Sequence, residues 1–156
     1  MNSEFREFRN LLARVCWQKS SAAMEGELAT SLRFIISAGA GDFVDFDIKQ
    51  TGNICSIKVK GRFKSDSVAQ FDAAVLSAIE TGHIYAILDL EEVPMIDSSA
   101  IGAVVNTLRL TKQAGGDTKL LNPSMFVIKT FKMVGILSLF EVYATEAEAV
   151  AACSAS

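Results

Sequence analysis

The sequence predicts an α/β sandwich: a mixed sheet of four to five strands, about four helices, and a helical extension at the N-terminus. Three observations carry this. Two runs alternate apolar and polar residues around a Gly-Asn turn, which is the signature of a hairpin. A third run, Ile84-Tyr85-Ala86-Ile87-Leu88, is apolar without alternation, as in a strand buried on both faces. Between and after these runs, apolar residues recur at helical spacing and end at glycines.

The 156 residues are enough for one domain with its own core. Half of them are hydrophobic and 21% are charged, the balance of a globular chain. A net charge of −3 offers no electrostatic footprint for nucleic acid. Cys16, Cys55 and Cys153 lie far apart and have neither disulfide nor metal spacing. They point to a reducing, cytoplasmic setting. No apolar run approaches the ~20 residues of a membrane span.

Residues 1–41 are read as the helical extension and linker. Phe5, Phe8, Leu11, Leu12 and Val15 share one helical face, with Arg6, Arg9 and Arg14 opposite. Leu28, Leu32, Ile35 and Ile36 suggest a second helical piece, and Gly39-Ala40-Gly41 a linker. This arm is expected to pack on the domain, or on a second copy in a homodimer, and to cover the open side of the central strand. Gly39 and Gly41 make no dinucleotide loop, because extended sequence follows them.

The domain proper is read over residues 42–152. Val44, Phe46 and Ile48 alternate with Asp45, Asp47 and Lys49, and Cys55, Ile57 and Val59 with Ser56, Lys58 and Lys60. Thr51-Gly52-Asn53 turns between them. Cys55 falls on the apolar side and reads as core. Ser65-Asp66-Ser67 supplies capping residues for a helix with Val68, Phe71, Val75 and Ile79 on its buried stripe, ended by Gly82. The central strand follows. Ile101, Val104, Val105, Leu108 and Thr111 then define a helix stopped at Gly115-Gly116. Residues 118–121 form a short strand, and Asn122-Pro123-Ser124 opens a helix through Val127, Ile128, Phe131 and Val134 to Gly135. Phe140 to Tyr143 reads as an edge strand. Thr145-Glu146-Ala147-Glu148 has capping-box spacing before a short Ala-rich helix. Residues 153–156 are expected to fray. The β-α-β crossovers should be right-handed and place their helices on one face.

The chemistry concentrates between the central strand and its helix, at Met95-Ile96-Asp97-Ser98-Ser99-Ala100-Ile101-Gly102. Two serines at a helix start fit two roles. A hydroxyl can satisfy a free N–H group, or it can carry a phosphate that the helix N-terminus tolerates. A hydrolytic serine needs a base within reach. The single histidine, His83, precedes the strand whose far end carries the serines, roughly 23 Å away. Asp89, Glu91, Glu92 and Asp97 lack further ligands for a cation site. No catalytic residue, metal or cofactor is assigned, and the chain is read as a non-enzyme.

The stretch from Leu88 to Gly102, with its preceding apolar strand and the following Gly115-Gly116, resembles the signature of the STAS domain. That family is named for sulphate transporters and anti-sigma factor antagonists. The resemblance runs from about Val44 to Ala152 in element order as well as motif. It implies phosphorylation at Ser98 by an anti-sigma factor with serine-kinase activity, which would bring the ATP. Unphosphorylated, the domain would bind that anti-sigma factor, free the sigma factor and so regulate transcription. A phosphatase would reset it. Partner contacts are expected at Met95, Asp97, Ser98, Ser99, Ala100, Gly102 and Asp66. The alternative is a STAS subunit of another assembly, such as a lipid-transport ATPase or a stress complex, in which the serines mainly cap a helix. The chain departs from the family pattern at Lys64, where an acidic residue is usual, at Ala100, where glycine is usual, and in its N-terminal extension.

Overall fold

Alternation at 44–48 and 55–59 does produce a hairpin, and it forms the middle of a larger sheet. The computed structural model describes residues 30–37 and 43–154. Its elements are β1 (Thr30–Ser37), β2 (Phe43–Thr51), β3 (Ile54–Gly61), α1 (Ser65–Glu80), β4 (Tyr85–Glu92), α2 (Ser98–Gln113), β5 (Asp117–Leu121), α3 (Met125–Val134), a 3₁₀ turn (Leu137–Leu139), β6 (Glu141–Tyr143) and α4 (Glu146–Ser154). The six strands lie in sequence order, β1-β2-β3-β4-β5-β6. The first two pairings are antiparallel and the last three parallel. Among the described residues, no helix is long and apolar enough to cross a membrane.

The helices α1, α2 and α3 pack on one face of the sheet. Phe71 and Val75 from α1, Ala103 and Val104 from α2, and Val127 and Phe131 from α3 share a core with Val44, Phe46, Ile57, Val59, Leu88, Leu90 and Leu120. Phe63 is its aromatic hub, with ring centroids 5.9 Å from Phe46 and 5.0 Å from Phe71. Cys55 belongs to this core, and burial pushes its thiol up to about 12. That is the packing role expected of it. Helix α2 ends in the reciprocal bonds of a Schellman motif: the Gly116 N–H donates to the Thr111 carbonyl (2.8 Å) and the Gly115 N–H to the Lys112 carbonyl (3.1 Å). Gly115 takes φ +92°, and a Cβ on Gly116 would strike the Ile84 carbonyl. Gly82 and Gly135 likewise follow the ends of α1 and α3.

Three expectations change. Residues 30–37 form a strand paired with β2, where Leu28, Leu32, Ile35 and Ile36 suggested a helix. The sheet therefore has one strand more than expected, and it begins before residue 42. Leu32 and Ile36 also fit period two, with Phe34 between them, and the open edge of β2 selects that period. The second change concerns the far face of β4. There Ile54, Tyr85, Ile87 and Leu121 are covered by Ala149 and Cys153 of α4. This is where the N-terminal arm was expected to sit; the helical spacing at residues 5–15 and the linker at 39–41 lie outside the described residues. Third, the chain does not fray at 153, because Cys153 and Ser154 complete α4 and Cys153 is buried. The capping spacing at its start is used: the Glu148 N–H donates to Thr145 Oγ1 (3.3 Å).

Candidate functional site

The loops that leave β3 and β4 meet at the carboxyl ends of these parallel strands. Gly61-Arg62-Phe63-Lys64 enters α1, and Val93-Pro94-Met95-Ile96-Asp97 enters α2. A parallel bridge joins Phe63 to Ile96. The Phe63 N–H donates to the Met95 carbonyl (3.0 Å), and the Asp97 N–H donates to the Phe63 carbonyl (3.2 Å). With its ring fully buried in the core, Phe63 anchors both loops. On the other side, Ser124 Oγ donates to the Val93 carbonyl (2.7 Å), and the Ser124 N–H to the Leu90 carbonyl (3.1 Å). Val93 and Ile96 point inward and are buried, while Pro94 and Met95 stay at the surface.

Asp97 is the N-cap of α2. Its Oδ1 accepts the Ala100 N–H at 2.9 Å, and its carbonyl accepts the Ile101 N–H at 2.9 Å. Its Oδ2 accepts the N–H of Ser65, the first residue of α1, also at 2.9 Å. One carboxylate thus satisfies donors at two helix N-termini, where negative charge is favoured. Helix α1 needs this, since its own N-cap, Lys64, makes no side-chain cap bond. Of the two roles open to the serines, the N-cap of α2 is therefore taken by Asp97. Aspartate accepts in two directions at once, and the serines fall one and two positions inside the helix. The capping cluster Ser65-Asp66-Ser67 is also reassigned. Ser67 is buried and donates its Oγ to the Lys64 carbonyl (2.9 Å).

This leaves Ser98 and Ser99 exposed on the first turn of α2. Asp66 is exposed on the first turn of α1, next to the residue that Asp97 holds. Met95 is 40% exposed. Gly102 is exposed, and a Cβ there would meet nothing within 4 Å. Ala100 is the exception among the expected contact residues: it is fully buried in the main core. At that helical position the side chain turns inward, so Ala100 is corrected from contact residue to packing residue. The structure brings Met95, Asp97, Ser98, Ser99, Gly102 and Asp66 to one end of the sheet. Phe63, Ser65 and Ser124, which hold the site, were not identified from the sequence. The lone apolar residue between Arg62 and Lys64 was the available signal for Phe63.

Two neighbouring carboxylates are engaged by lysines. Glu92 pairs with Lys58 (3.4 Å) and Lys60 (3.9 Å), and Asp89 lies 3.9 Å from Lys58. Burial raises the Asp89 carboxyl, against the pull of the Glu91 N–H and of Lys58. Among the described residues, no group of His, Cys, Asp and Glu is arranged to hold a metal. His83 precedes β4 and bonds Thr81 Oγ1 at 2.9 Å. It sits at the other end of an eight-residue strand, about 25 Å of rise away from the serines.

Comparison with known proteins agrees with this architecture. The family model described as the STAS domain matches residues 45–149. The anti-sigma-B factor antagonist of Bacillus subtilis (strain 168) is 27% identical over 101 residues, covering 65% of this chain and 92% of that relative. The anti-sigma F factor antagonist of Lysinibacillus sphaericus is 34% identical over 95 residues, covering 60% and 80%. The structure of the anti-sigma factor antagonist SpoIIAA in its unphosphorylated form superposes with a TM-score of 0.64 at 29% identity, covering 71% of this chain and 97% of that one.

Proposed function

The chain belongs to the STAS domain family, and from that premise we propose that it is an anti-sigma factor antagonist switched by phosphorylation at Ser98. The observation that carries the proposal is the position of Ser98: exposed, at the start of α2, and directly after the carboxylate that fixes the turn. In this reading the functional unit spans residues 42–152, with β1 added at the sheet edge. Unphosphorylated, it docks an anti-sigma factor with serine-kinase activity over Met95, Asp97, Ser98, Ser99, Gly102 and Asp66, and the sigma factor is freed. Within that complex, Ser98 Oγ attacks the γ-phosphoryl group of ATP bound to the partner. ADP leaves, and the hydroxyl proton passes to a base of the partner. A phosphatase reverses the modification by hydrolysis.

The physics of the turn supports a switch that works at the interface. Phosphate adds about −1.5 to −2 charges. The main-chain donors of Ala100 and Ser65 are already taken by Asp97. The added charge therefore meets the remaining donors of the first turn and is opposed by Asp97. It has no buried group to displace, so the fold is kept and the partner is repelled.

The test is incubation with candidate anti-sigma kinases and ATP, followed by phosphosite mapping by mass spectrometry. Label is expected at Ser98 and is expected to vanish in Ser98→Ala. Ser98→Asp is expected to weaken partner binding at least ten-fold and to shift the melting temperature by less than about 2 °C, as for an exposed substitution. Label elsewhere, or unfolding of Ser98→Asp, contradicts the proposal.

A further inference from the structure

At the end of the molecule remote from β1, strand β6 closes the sheet, and no described strand pairs with its outer side. The Tyr143 carbonyl accepts the Asn122 N–H at 2.8 Å, so Tyr143 directs its main-chain groups inward, toward the β5 side. Neighbouring residues of an extended strand point these groups to opposite edges. Val142 therefore presents both its N–H and its C=O to the open edge. Its side chain lies on the helix side, since it pairs with Leu120 of the main core, and it is exposed. Met133 is 85% exposed, and Val134 and Leu139 are largely exposed; in sequence they adjoin Lys132, Gly135, Ser138 and Phe140. Val142 lines a groove of about 550 Å³ together with Lys132, Gly135, Leu137, Ser138 and Phe140. An open edge flanked by apolar side chains is a template for strand addition.

We infer that β6 is a docking edge for a second copy of this chain, paired antiparallel about a two-fold axis at Val142. The edge is self-complementary in that register. Val142 faces the partner's Val142 as a hydrogen-bonded pair, each N–H donating to the other's carbonyl. The two valine side chains meet on the helix side, next to Leu137 and Phe140 in the groove of each copy. On the other face Glu141 lies opposite the partner's Tyr143 and the reverse, so no like charges oppose each other. Both residues share that face because they pair with Lys119 and Leu121. Glu141 Oε2 accepts from Lys119 Nζ and from Tyr143 Oη. Its second oxygen is left to face the partner's ring edge. The same patch on both copies gives a closed dimer rather than a filament. Three-residue strands and four flanking side chains bury less than the ~800 Å² per partner of a standard interface. The dimer is accordingly weak and concentration-dependent. This inference rests on the sheet edge and does not depend on Ser98.

Sedimentation velocity of the full chain from 5 to 500 µM, on the order of a weak association, tests it together with amide exchange of Val142. A monomer–dimer equilibrium is expected, with protection of the Val142 amide rising with concentration. Val142→Pro removes only an outward N–H, which an edge strand tolerates, and Val142→Lys places a guard charge on the edge. Each is expected to weaken the dimer at least ten-fold where it folds. A chain that stays monomeric throughout, a Val142 amide insensitive to concentration, or a dimer equally strong in both variants overturns the inference. The last outcome would place the contact elsewhere, such as on residues 1–29.

Discussion

The two faces of β4 are held by different physics. On the helix side, Leu88 and Leu90 join a continuous apolar core closed by three helices and centred on the rings of Phe46, Phe63 and Phe71. On the other side, Ile87 has the small residues Ala149 and Cys153 above it, and beyond them a charge cluster begins. Lys119, only 3% exposed, donates to Asp117 (2.8 Å) and Glu141 (2.6 Å). Lys112 reaches Asp117 (3.2 Å), and Tyr143 Oη donates to Glu141. Burial opposes the charge on Lys119, but the bonds to Asp117 and Glu141 prevail and raise its pKa. The comparison teaches that a strand apolar on both sides can be covered once by bulk and once by small residues bordered by a satisfied charge cluster.

The largest break in the comparison is expected from Phe63→Ala. It should cost about 3–5 kcal/mol, as for a fully buried ring; the main-chain bonds to Met95 and Asp97 remain, but the ring that ties them to the core is lost. Chemical denaturation measures it, and a cost under ~1 kcal/mol would show that the aromatic hub is dispensable. Lys119→Met comes next, at about 1–3 kcal/mol for the lost charged hydrogen bonds. It should also change the pH profile. Burial works against the charge of Asp117, but the bonds from Lys119, the Thr118 N–H and Lys112 hold its carboxyl below the usual range. The Lys119 and Tyr143 bonds lower Glu141. Their contribution is complete above the ordinary carboxylate range and is lost as pH falls through the lowered folded values. Stability of the wild type should therefore fall more steeply on acidification than that of Lys119→Met.

The smallest effect tests the helix side. There Asp72 has one carboxylate oxygen buried with no hydrogen-bond partner, and burial pushes its pKa up to about 6. A carboxyl raised in the folded state holds its proton longer than the unfolded chain does, so stability falls as pH rises from about 4 to 6. Asp72→Asn should gain about 1 kcal/mol at pH 7, after allowance for partial exposure, and nothing below pH 4. Equal gain at both pH values would refute burial of the charge as the cause.

Legibility from sequence divides along the same line, between local and distant causes. The hairpin was readable because Val44-Phe46-Ile48 and Cys55-Ile57-Val59 report their period within a few residues. Helices α1 to α3 were readable from their apolar stripes and from Gly82, Gly115 and Gly135. The site was readable as a motif, with Ser98 and Ser99 outside and the turn where expected. The fine structure of the site was not. Asp97 reaches Ser65 across 32 positions, and no local pattern announces a cap borrowed from that far away. Strand β1 was misread because Leu32 and Ile36 fit two periods, with Ile35 for a helix and with Phe34 for a strand, and only pairing with β2 decides between them. Ala100 was misplaced because a motif fixes neighbourhood and not side-chain direction.

Gly102 brings one consequence into view. A glycine in a helix interior lowers stability by roughly 1 kcal/mol relative to alanine. Among the described residues nothing requires it, since a Cβ there would meet nothing within 4 Å. If the proposed partner docks at this turn, the bare position lets it approach the main chain, and Gly102→Ala is expected to raise the melting temperature while weakening that docking.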